Sequence, residues 1–438
     1  KPGQTFQLKI SHHWSSGGRH FMGKGTSFGT VTLIAPTDVI TGPVQTMRID
    51  GVDIEFQLTP GTEAPAEMNL YFPQLRVLCA AENATHTLHN LLTLRGALVR
   101  DPKAWAFYLG QTLQRYGWRS DILIAQHHWP TWGRERIVEM LSDQRDMYEW
   151  LNDQTLRLIN RGYTSLEIAD RLKSLPEPLA RKWYARDYYG SVNQNVRAIY
   201  QRYMGFYDGN PANLDPLPPL DTARRTIAWM GGVDAVLTKL RAAYAAGDYR
   251  WVAQIGNELV FVAPENVAAR RLQANALEQL GYQSENATWR NIYLTGAQEL
   301  RLGRSKVSIT TASPDMVRTL TIPDFFDYTA VRLDGDKAAG KTFTLNWSFA
   351  DINQRYAMTL RNSALTYQSD VLHARPSASI KLTKAVLDRI SLHETTMAQA
   401  LRDGSIQISG DATAVSSLFG MLDTFDPTFS IVTPPGTP

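Results

Sequence analysis

The first third of the chain alternates apolar and polar residues over short stretches that glycine and proline separate. This period of two, together with the β-branched content, predicts strands at residues 31–35, 54–58, 69–72, 76–79 and 121–125. Asp50-Gly51 predicts a tight hairpin turn before the second of them. Helices are predicted over residues 91–100 and 103–116, so this part of the chain has the pattern of an α/β layered domain.

The period of the apolar positions changes to 3.6 from Arg134 onward, which predicts helices. One helical stripe contains Ile137, Met140, Leu141, Tyr148, Leu151, Leu158 and Ile159. Thr164 and Glu167 have the spacing of a capping box and predict the start of the next helix. The Leu175-Pro176 step predicts its end, because proline disfavours helical conformation in the residue before it.

The same helical region contains an extended arm and more aromatic residues than one core requires. Residues 207–221 are rich in proline and asparagine and predict the arm, whereas residues 222–300 have helix-turn-helix spacing that resembles one tetratricopeptide-type unit. The aromatic residues are Trp150, Trp183, Tyr184, Tyr188, Tyr189, Tyr203 and Phe206. Such an excess is typical of a subunit interface, and we predict a two-fold symmetric homodimer. A large internal core is the alternative interpretation.

Alternation returns from about Ser313 and predicts a compact α+β domain at the C-terminal end of the chain. Large apolar residues share one face of neighbouring strands: Phe343, Leu345, Trp347, Phe349, Tyr356, Met358 and Leu360. A following helix offers four residues to cover them: Val415, Leu418, Phe419 and Leu422. Such a face is either a core or the lining of a groove for an aliphatic ligand. The pattern alone leaves both interpretations open.

Composition excludes several classes of function. The 438 residues are 43% hydrophobic and 20% charged, which is typical of a globular protein with two or three domains. A net charge of +3 without a basic stripe gives no indication of nucleic-acid binding. Apolar runs are far shorter than the roughly 18 residues that cross a bilayer, so no transmembrane segment is predicted. The single cysteine, Cys79, cannot form an internal disulfide and is predicted to be buried.

Carboxylates and imidazoles gather where the predicted strands end. Glu63 and Glu67 lie in a loop that contains proline, and Glu82 directly follows a strand. The histidines of the same region are His86, His89, His127 and His128. Acids and imidazoles at one rim of a sheet are typical of a metal site. Solvated loop carboxylates and packed histidines are the alternative interpretation.

Five longer stretches resemble a known family, the alkyl sulfatases of the metallo-β-lactamase superfamily. They are TPGTEAPAEMNLYFP, CAAENATHTLHNLLTLRGALVRD, HHWPTWG, YYGSVNQNVRAIYQRYMGFYDGNPANL and YQSENATWRNIYLTGAQELR. The resemblance runs from about Gly25 to the end of the chain. It implies the second part of a metallo-β-lactamase-like catalytic domain (1–133), a helical dimerisation domain (134–304) and an alkyl-chain-binding domain similar to sterol carrier protein 2 (305–438).

The resemblance also implies a binuclear zinc site that hydrolyses alkyl sulfate esters, such as dodecyl sulfate, to alcohol and sulfate. Position by position, Glu63 resembles a ligand of the first zinc, Glu82 the carboxylate that bridges both zincs, and His127 a ligand of the second. The residues that would hold the sulfate group are Asn90, Arg95 and Arg100, with Tyr200 near the mouth of the site. Arginine suits this task because its planar fork of donors matches an oxyanion.

His86 and His89 are the remaining candidates for catalytic roles, either beside the metal ligands or in contact with the sulfate, and Glu67 is expected to be a structural acid. The family takes its other metal ligands from an upstream His-x-His-x-Asp-His stretch. No such stretch occurs here, and His12, His13 and His20 lack its spacing. The family pattern therefore predicts half of a binuclear site.

Two hypotheses explain this incomplete site. In the first, the chain is the C-terminal portion of a zinc-dependent sulfuric ester hydrolase, inactive by itself, and we expect further residues upstream of Lys1. In the second, it is a naturally shortened, non-catalytic dimeric protein that binds lipid or detergent. Family resemblance favours a periplasmic or secreted location.

Overall fold

The computed structural model describes residues 36–94, 96–304, 314–425 and 428–436. These residues fall into two compact units, and each is described by itself. The larger unit contains residues 37–304 together with 428–436, and the smaller unit contains Pro36 and residues 314–425. The strand predicted at residues 31–35 lies outside the described residues.

The larger unit begins with a six-stranded sheet whose strands follow chain order. They are β1 (Val44–Ile49), β2 (Val52–Leu58), β3 (Met68–Phe72), β4 (Val77–Cys79), β5 (Ile122–Ile124) and β6 (Thr131–Trp132). Neighbours are antiparallel except β4 and β5, which run parallel and are joined by a crossover that contains a helix. Asp50 and Gly51 form the β1–β2 turn with φ of 49° and 83°, which confirms the hairpin.

Two helices pack against one face of this sheet. Helix α1 (Pro102–Tyr116) follows Asp101, whose side chain accepts two backbone hydrogen bonds from the first turn. Helix α2 (Arg134–Ile159) carries the predicted apolar stripe, which is buried except for the half-buried Ile159. Trp105 of α1 stacks on Tyr148 of α2 with ring centroids 4.6 Å apart. The predicted helical packing is therefore confirmed.

The helix predicted over residues 91–100 is wrong, because the described residues of this stretch form an irregular loop. Leu91 N–H donates to the side-chain oxygen of Asn195 at 2.9 Å. Arg100 N–H donates to Leu91 O at 2.8 Å. These backbone groups already form hydrogen bonds with partners outside a helical turn. Hydrogen bonding therefore does not favour a helix in this stretch.

The rest of the larger unit is helical. Its helices are α3 (Ser165–Arg171), α4 (Glu177–Ala180), α5 (Val192–Met204), α6 (Pro219–Trp229), α7 (Val233–Ala245), α8 (Tyr249–Val262), α9 (Val267–Gln283) and α10 (Ala287–Leu302). The capping box of Thr164 and Glu167 is confirmed. Helix α3 ends at Arg171 rather than at Leu175, because Leu172 already leaves helical conformation with ψ of 65°. The predicted arm is irregular up to Pro218, apart from one 3₁₀ turn.

The smaller unit is a five-stranded sheet with helices, as the alternation predicted. Its elements are α11 (Pro314–Thr319), α12 (Ile322–Val331), α13 (Gly335–Ala338), β7 (Phe343–Phe349), β8 (Gln354–Arg361), β9 (Ala364–Ser369), β10 (Ala378–Leu382), α14 (Lys384–Ser391), α15 (Met397–Arg402), β11 (Gln407–Gly410) and α16 (Ala412–Gly420). The strand order is β11-β10-β7-β8-β9, and β10 and β7 are parallel.

The seven large apolar residues of β7 and β8 are all buried in one cluster of the smaller unit. Val415 and Leu418 of α16 cover them, and Phe326 of α12 contacts the Trp347 ring at 5.5 Å between centroids. Phe419 and Leu422 pack against the same cluster. In this conformation the face forms a packed core. Binding of an alkyl chain there stays a prediction.

The predicted fold class, a multidomain chain of α/β, helical and α+β parts, is confirmed. The boundaries predicted after residues 133 and 304 stay predictions, and the first of them lies inside the larger compact unit. Across the described residues, every helix is too short or too polar to serve as a membrane span.

Candidate metal centre and anion site

Three side chains that could hold a metal ion meet beside the sheet of the larger unit. Ligand atoms of Glu63, Glu82 and His89 all lie within 4.8 Å of one another. Glu63 is in the loop between β2 and β3, Glu82 follows β4, and His89 lies farther along the irregular loop that leads to α1. His89 is 1% exposed, so this ring is fixed inside the protein. The three residues come from separate segments, and the fold brings them together.

The Glu82 carboxylate lies between two imidazoles. Its Oε2 is 3.2 Å from His89 Nε2, and its Oε1 is 2.8 Å from His127 Nε2. The hydrogen bond with His89, followed by the smaller effect of His127, lowers the pKa of Glu82 to about 2. Glu82 is therefore ionised at neutral pH, with its two oxygens directed to different partners. The bridging of two zinc ions by this carboxylate stays a prediction.

Arg100 connects Asn90 to the cluster formed by Glu63, Glu82 and His89, which is called the metal-type cluster below. Its Nε donates to Glu63 O at 2.7 Å, and its Nη2 donates to the Glu63 carboxylate. Its Nη1 donates to Asn90 O at 2.8 Å and to Asn90 Oδ1 at 2.5 Å. The side chain is 12% exposed, so the guanidinium is a partly desolvated positive charge held in a fixed direction. Asn90 and Arg100, both predicted to hold sulfate, are thus brought together.

His86 lies apart from the group formed by Glu63, Glu82 and His89. Its Nε2 is 2.8 Å from Thr131 Oγ1, and its ring is 4.8 Å from Trp183 between centroids. Burial, with a smaller effect of the nearby His128, lowers its pKa to about 4, so this imidazole is neutral at pH 7. Within the described residues its Nδ1 has no hydrogen-bond partner. Of the two histidines predicted to be catalytic, the structure therefore brings only His89 into the cluster.

Next to His86 lies a pair of aromatic side chains that the sequence did not predict to be part of the site. Trp129 and Trp183 stack with ring centroids 5.5 Å apart and an interplanar angle of 15°. The sequence shows Trp129 as part of the HHWPTWG stretch and Trp183 among the aromatic residues predicted for the interface. Because the two tryptophans are far apart in sequence, no local pattern indicates that they are in contact. The one available signal is that Trp129 lies two residues after His127, a predicted metal ligand.

Arg95 and Tyr200 are the other two residues predicted to belong to the sulfate site. Arg95 lies outside the described residues. Tyr200 is 5% exposed within α5 and belongs to the core cluster around Trp105. Burial is the main cause of the raised pKa of its hydroxyl. Its place near the mouth of the site stays a prediction.

Glu67 is a fourth carboxylate close to the cluster. Its Oε1 accepts a hydrogen bond from Glu82 N–H at 3.4 Å. Burial, reinforced by the negative charges of Glu63 and Glu82, raises the pKa of Glu67 to about 6. In the folded protein this carboxyl holds its proton to a higher pH than an ordinary glutamate, although its contact is consistent with the structural role expected of it.

Replacing Glu67 with glutamine is expected to remove a pH-dependent loss of stability. A raised folded-state pKa means that the wild-type protein loses stability as the pH rises from 4.5 to about 6, because the unfolded chain ionises first. The stability of Glu67→Gln relative to wild type should therefore rise by about 1–2 kcal/mol across this window, after allowance for solvent screening. Denaturant unfolding of metal-free protein at pH 4.5 and pH 7 measures it. An unchanged difference would contradict the expectation.

The fold and the cluster together define a multidomain chain in which carboxylates and an imidazole that could hold a metal ion lie beside a partly buried arginine. Residues 164–303 match the family model for alkyl sulfatase dimerisation, and residues 310–434 match the model for the alkyl sulfatase C-terminal region. A linear primary-alkylsulfatase from Pseudomonas sp. (strain ATCC 19151) is 34% identical over 91% of this chain and 76% of its own length. The chain belongs to the alkyl sulfatase family, which confirms the resemblance.

Two further relatives are more similar in sequence. The (R)-specific secondary-alkylsulfatase from Pseudomonas sp. is 51% identical over 92% of this chain and 61% of its own length. The solved structure of the stereoselective inverting sec-alkylsulfatase Pisa1 from Pseudomonas sp. has a TM-score of 0.89 at 51% identity, over 92% of this chain and 64% of that chain. The chain thus spans less than two thirds of the length of these two relatives.

Proposed function

We propose that this chain is the C-terminal portion of a metal-dependent hydrolase that cleaves alkyl sulfate esters, such as dodecyl sulfate, to alcohol and sulfate. The observation that carries the proposal is the joining of two sites by Arg100. This side chain contacts both the Glu63 carboxylate of the metal-type cluster and the Asn90 amide. An anion held by Arg100 and Asn90 would therefore lie beside a bound metal ion. Membership of the alkyl sulfatase family supports the same reaction class.

The donor set fits zinc better than a hard cation, because imidazole nitrogen accompanies the carboxylate oxygens. Glu63, Glu82 and His127 would hold the zinc ions. His89 lies close enough to add a further nitrogen. Zinc, when bound, supplies Lewis acidity toward water and toward the oxygens of the ester. Each zinc ion needs about four donors, so the described residues satisfy only part of such a pair.

The residues of the chain itself would bind and orient the ester. Arg100 supplies a permanent positive charge. Its N–H donors contact Glu63 and Asn90 in this conformation, and some of these contacts would have to be released for the donors to hold two oxygens of a sulfate group. The Asn90 side chain, which accepts a hydrogen bond from Arg100, keeps its own N–H donors for the substrate. The hydrogen bond with His89 lowers the pKa of Glu82 to about 2, so Glu82 is ionised at neutral pH. The ionised form is the one that a metal ligand requires.

Sulfate release from dodecyl sulfate tests the proposal. Residues 1–438 alone should show weak zinc binding and negligible turnover, because the donor set is incomplete. The same chain preceded by a relative's segment with the His-x-His-x-Asp-His stretch should hydrolyse the ester, and a chelator should abolish the activity. Turnover by residues 1–438 above the chelator control would contradict the incomplete site. No turnover by the extended, zinc-loaded chain would favour the non-catalytic detergent-binding alternative.

We also propose a homodimer formed through the helical part of the larger unit. Phe206 is 90% exposed and Trp229 is 94% exposed, which is unusual for large apolar side chains. Some of the predicted interface residues are not available to a partner subunit, since Trp150 and Tyr184 pack against the core. The proposal therefore depends on the exposed subset together with the match to the dimerisation model.

Light scattering at micromolar concentration should give twice the mass of the chain. Trp229→Lys should shift the protein toward monomer, because it places a charge in a desolvated interface. Trp118→Lys is the matched control, since Trp118 is 63% exposed but lies outside the matched region. A wild-type monomer would contradict the proposal.

Export to the periplasm or the medium is the last part of the proposal and depends on family resemblance. Fractionation of cells that express the intact gene product tests it. Recovery of the protein only with cytoplasmic markers would contradict it.

A further inference from the structure

The loop that carries Asn90 is held by one buried side chain of helix α5. Asn195 is 0% exposed. Its Nδ2 donates to His89 O at 2.9 Å, and its Oδ1 accepts from Leu91 N–H at 2.9 Å. The two hydrogen bonds lie on either side of Asn90, so they fix the backbone at the residue before it and at the residue after it.

Gly190, in the neighbouring loop, is in close contact with the same stretch of backbone. A Cβ atom at Gly190 would lie 2.6 Å from the His89 carbonyl carbon and 2.7 Å from Asn90 N, closer than real Cβ atoms approach. Gly190 N–H also donates to Leu88 O at 2.8 Å. Only glycine leaves room for this approach. The peptide between His89 and Asn90 is therefore enclosed by Gly190 and Asn195.

This enclosure determines where the Asn90 side chain can point. Asn90 is 1% exposed, and both its main-chain and side-chain oxygens accept hydrogen bonds from Arg100. A shift of the loop backbone would move Asn90 away from the guanidinium and would also displace the His89 ring from Glu82. Asn195 thus acts on the anion site and on the metal-type cluster through one loop.

We infer that Asn195 is a positioning residue, which holds Asn90 in the orientation that binds the sulfate group together with Arg100. This inference rests on the proposed function only for the identity of the anion. Satisfying two buried backbone groups is the purely structural explanation, and it predicts lower stability with unchanged anion affinity. The two explanations therefore differ in a measurable quantity.

Three variants separate these explanations. Asn195→Ala removes both hydrogen bonds, whereas Asn195→Asp in its ionised form keeps the acceptor for Leu91 N–H and loses the donor to His89 O. Asn346→Ala is the matched control in the smaller unit. Asn346 is 6% exposed, and its side chain forms the same pair of bonds to the backbone O and N–H of His373, at 3.0 and 2.8 Å.

The full chain is titrated with inorganic sulfate and with hexyl sulfate, and amide hydrogen exchange is followed at Leu91. Asn195→Ala should weaken binding of both anions about tenfold. It should also accelerate exchange at Leu91 by a similar factor. Asn195→Asp should keep the slow exchange at Leu91, and Asn346→Ala should leave both measurements unchanged. Anion affinity of Asn195→Ala equal to that of wild type would overturn the inference.

A failure of the positioning role of Asn195 can be distinguished from a failure of the proposed sulfate site. If the wild-type chain binds neither anion, the proposed sulfate site fails, and the positioning role is judged from the Asn90 side-chain amide signal in NMR spectra. A shifted Asn90 signal in Asn195→Asp, which retains the acceptor for Leu91 N–H, would support the role. An unchanged Asn90 signal in that variant would overturn it.

Discussion

Replacing Arg100 with methionine is expected to lower the free energy of unfolding by about 3 kcal/mol. The substitution keeps a long apolar stem but leaves the Glu63 carboxylate, whose side chain is 20% exposed, without its cation. Removing one partner of a buried pair costs about 3–5 kcal/mol, and the remaining exposure of Glu63 places this pair at the lower end. Asn90 also loses its hydrogen bonds from Arg100. Denaturant unfolding of metal-free protein measures the loss.

Arg119→Met is the matched control for this prediction. Arg119 pairs with Glu55 and lies over the Tyr71 ring, but its side chain is 48% exposed, so its loss should cost only about 1 kcal/mol. Arg100→Lys should recover part of the stability and little of the anion binding, because an ammonium cannot reproduce the fork of donors. Equal losses for Arg100→Met and Arg119→Met would show that burial of the Glu63 pair contributes nothing.

Trp347→Ala is expected to destabilise the smaller unit by about 3–5 kcal/mol. The Trp347 side chain is 1% exposed and stacks on Phe349 within the sheet. Its removal leaves a large cavity that the neighbouring rings cannot fill. Trp347→Phe should cost clearly less, because the indole N–H finds no acceptor among the described residues and its removal relieves an unpaired donor. Unfolding of the smaller unit, followed by hydrogen exchange, measures both variants.

Val331→Ala is the control, because Val331 is 57% exposed on the same unit and should change stability by less than about 0.5 kcal/mol. Titration of the full chain with C8, C10 and C12 sulfates tests whether this core also admits an alkyl chain. Each buried methylene would add about 0.8 kcal/mol of affinity. A smaller loss for Trp347→Ala than for Val331→Ala would contradict the packed core, and equal affinities across the series would contradict a groove.

Periodic elements could be predicted from the sequence because their pattern reflects burial on one face. Helix α2 and strands β7 and β8 were recognised in this way, and the hairpin turn followed from the need for positive φ at Asp50 and Gly51. The loop before α1 could not be predicted. Its backbone is satisfied by Asn195, a side chain 104 residues from Leu91 in sequence. No local pattern carries that information.

The sequence predicted which residues belong to the candidate site better than it predicted how they are arranged. The family resemblance named Glu63, Glu82, Asn90 and Arg100, and the structure brings these residues together. His86 and His89 looked equivalent, because they are the same residue type three positions apart in an irregular loop. The turn of that loop directs His89 to Glu82 and His86 to the aromatic pair. Only the three-dimensional path of the backbone distinguishes them.

The attachment of the site loop to helix α5 also limits how the chain can be divided. His89 and Leu91 depend on Asn195, and Leu88 N–H donates to Arg186 O at 2.9 Å. Asn286 in turn donates to Tyr189 O and Gly190 O, so the supporting loop is tied to the start of α10. A fragment cut after residue 133 would keep most of the metal-type side chains but lose the contacts that hold them. Because these contacts join distant parts of the sequence, we expect the site to keep its geometry only when the helical part is folded as well.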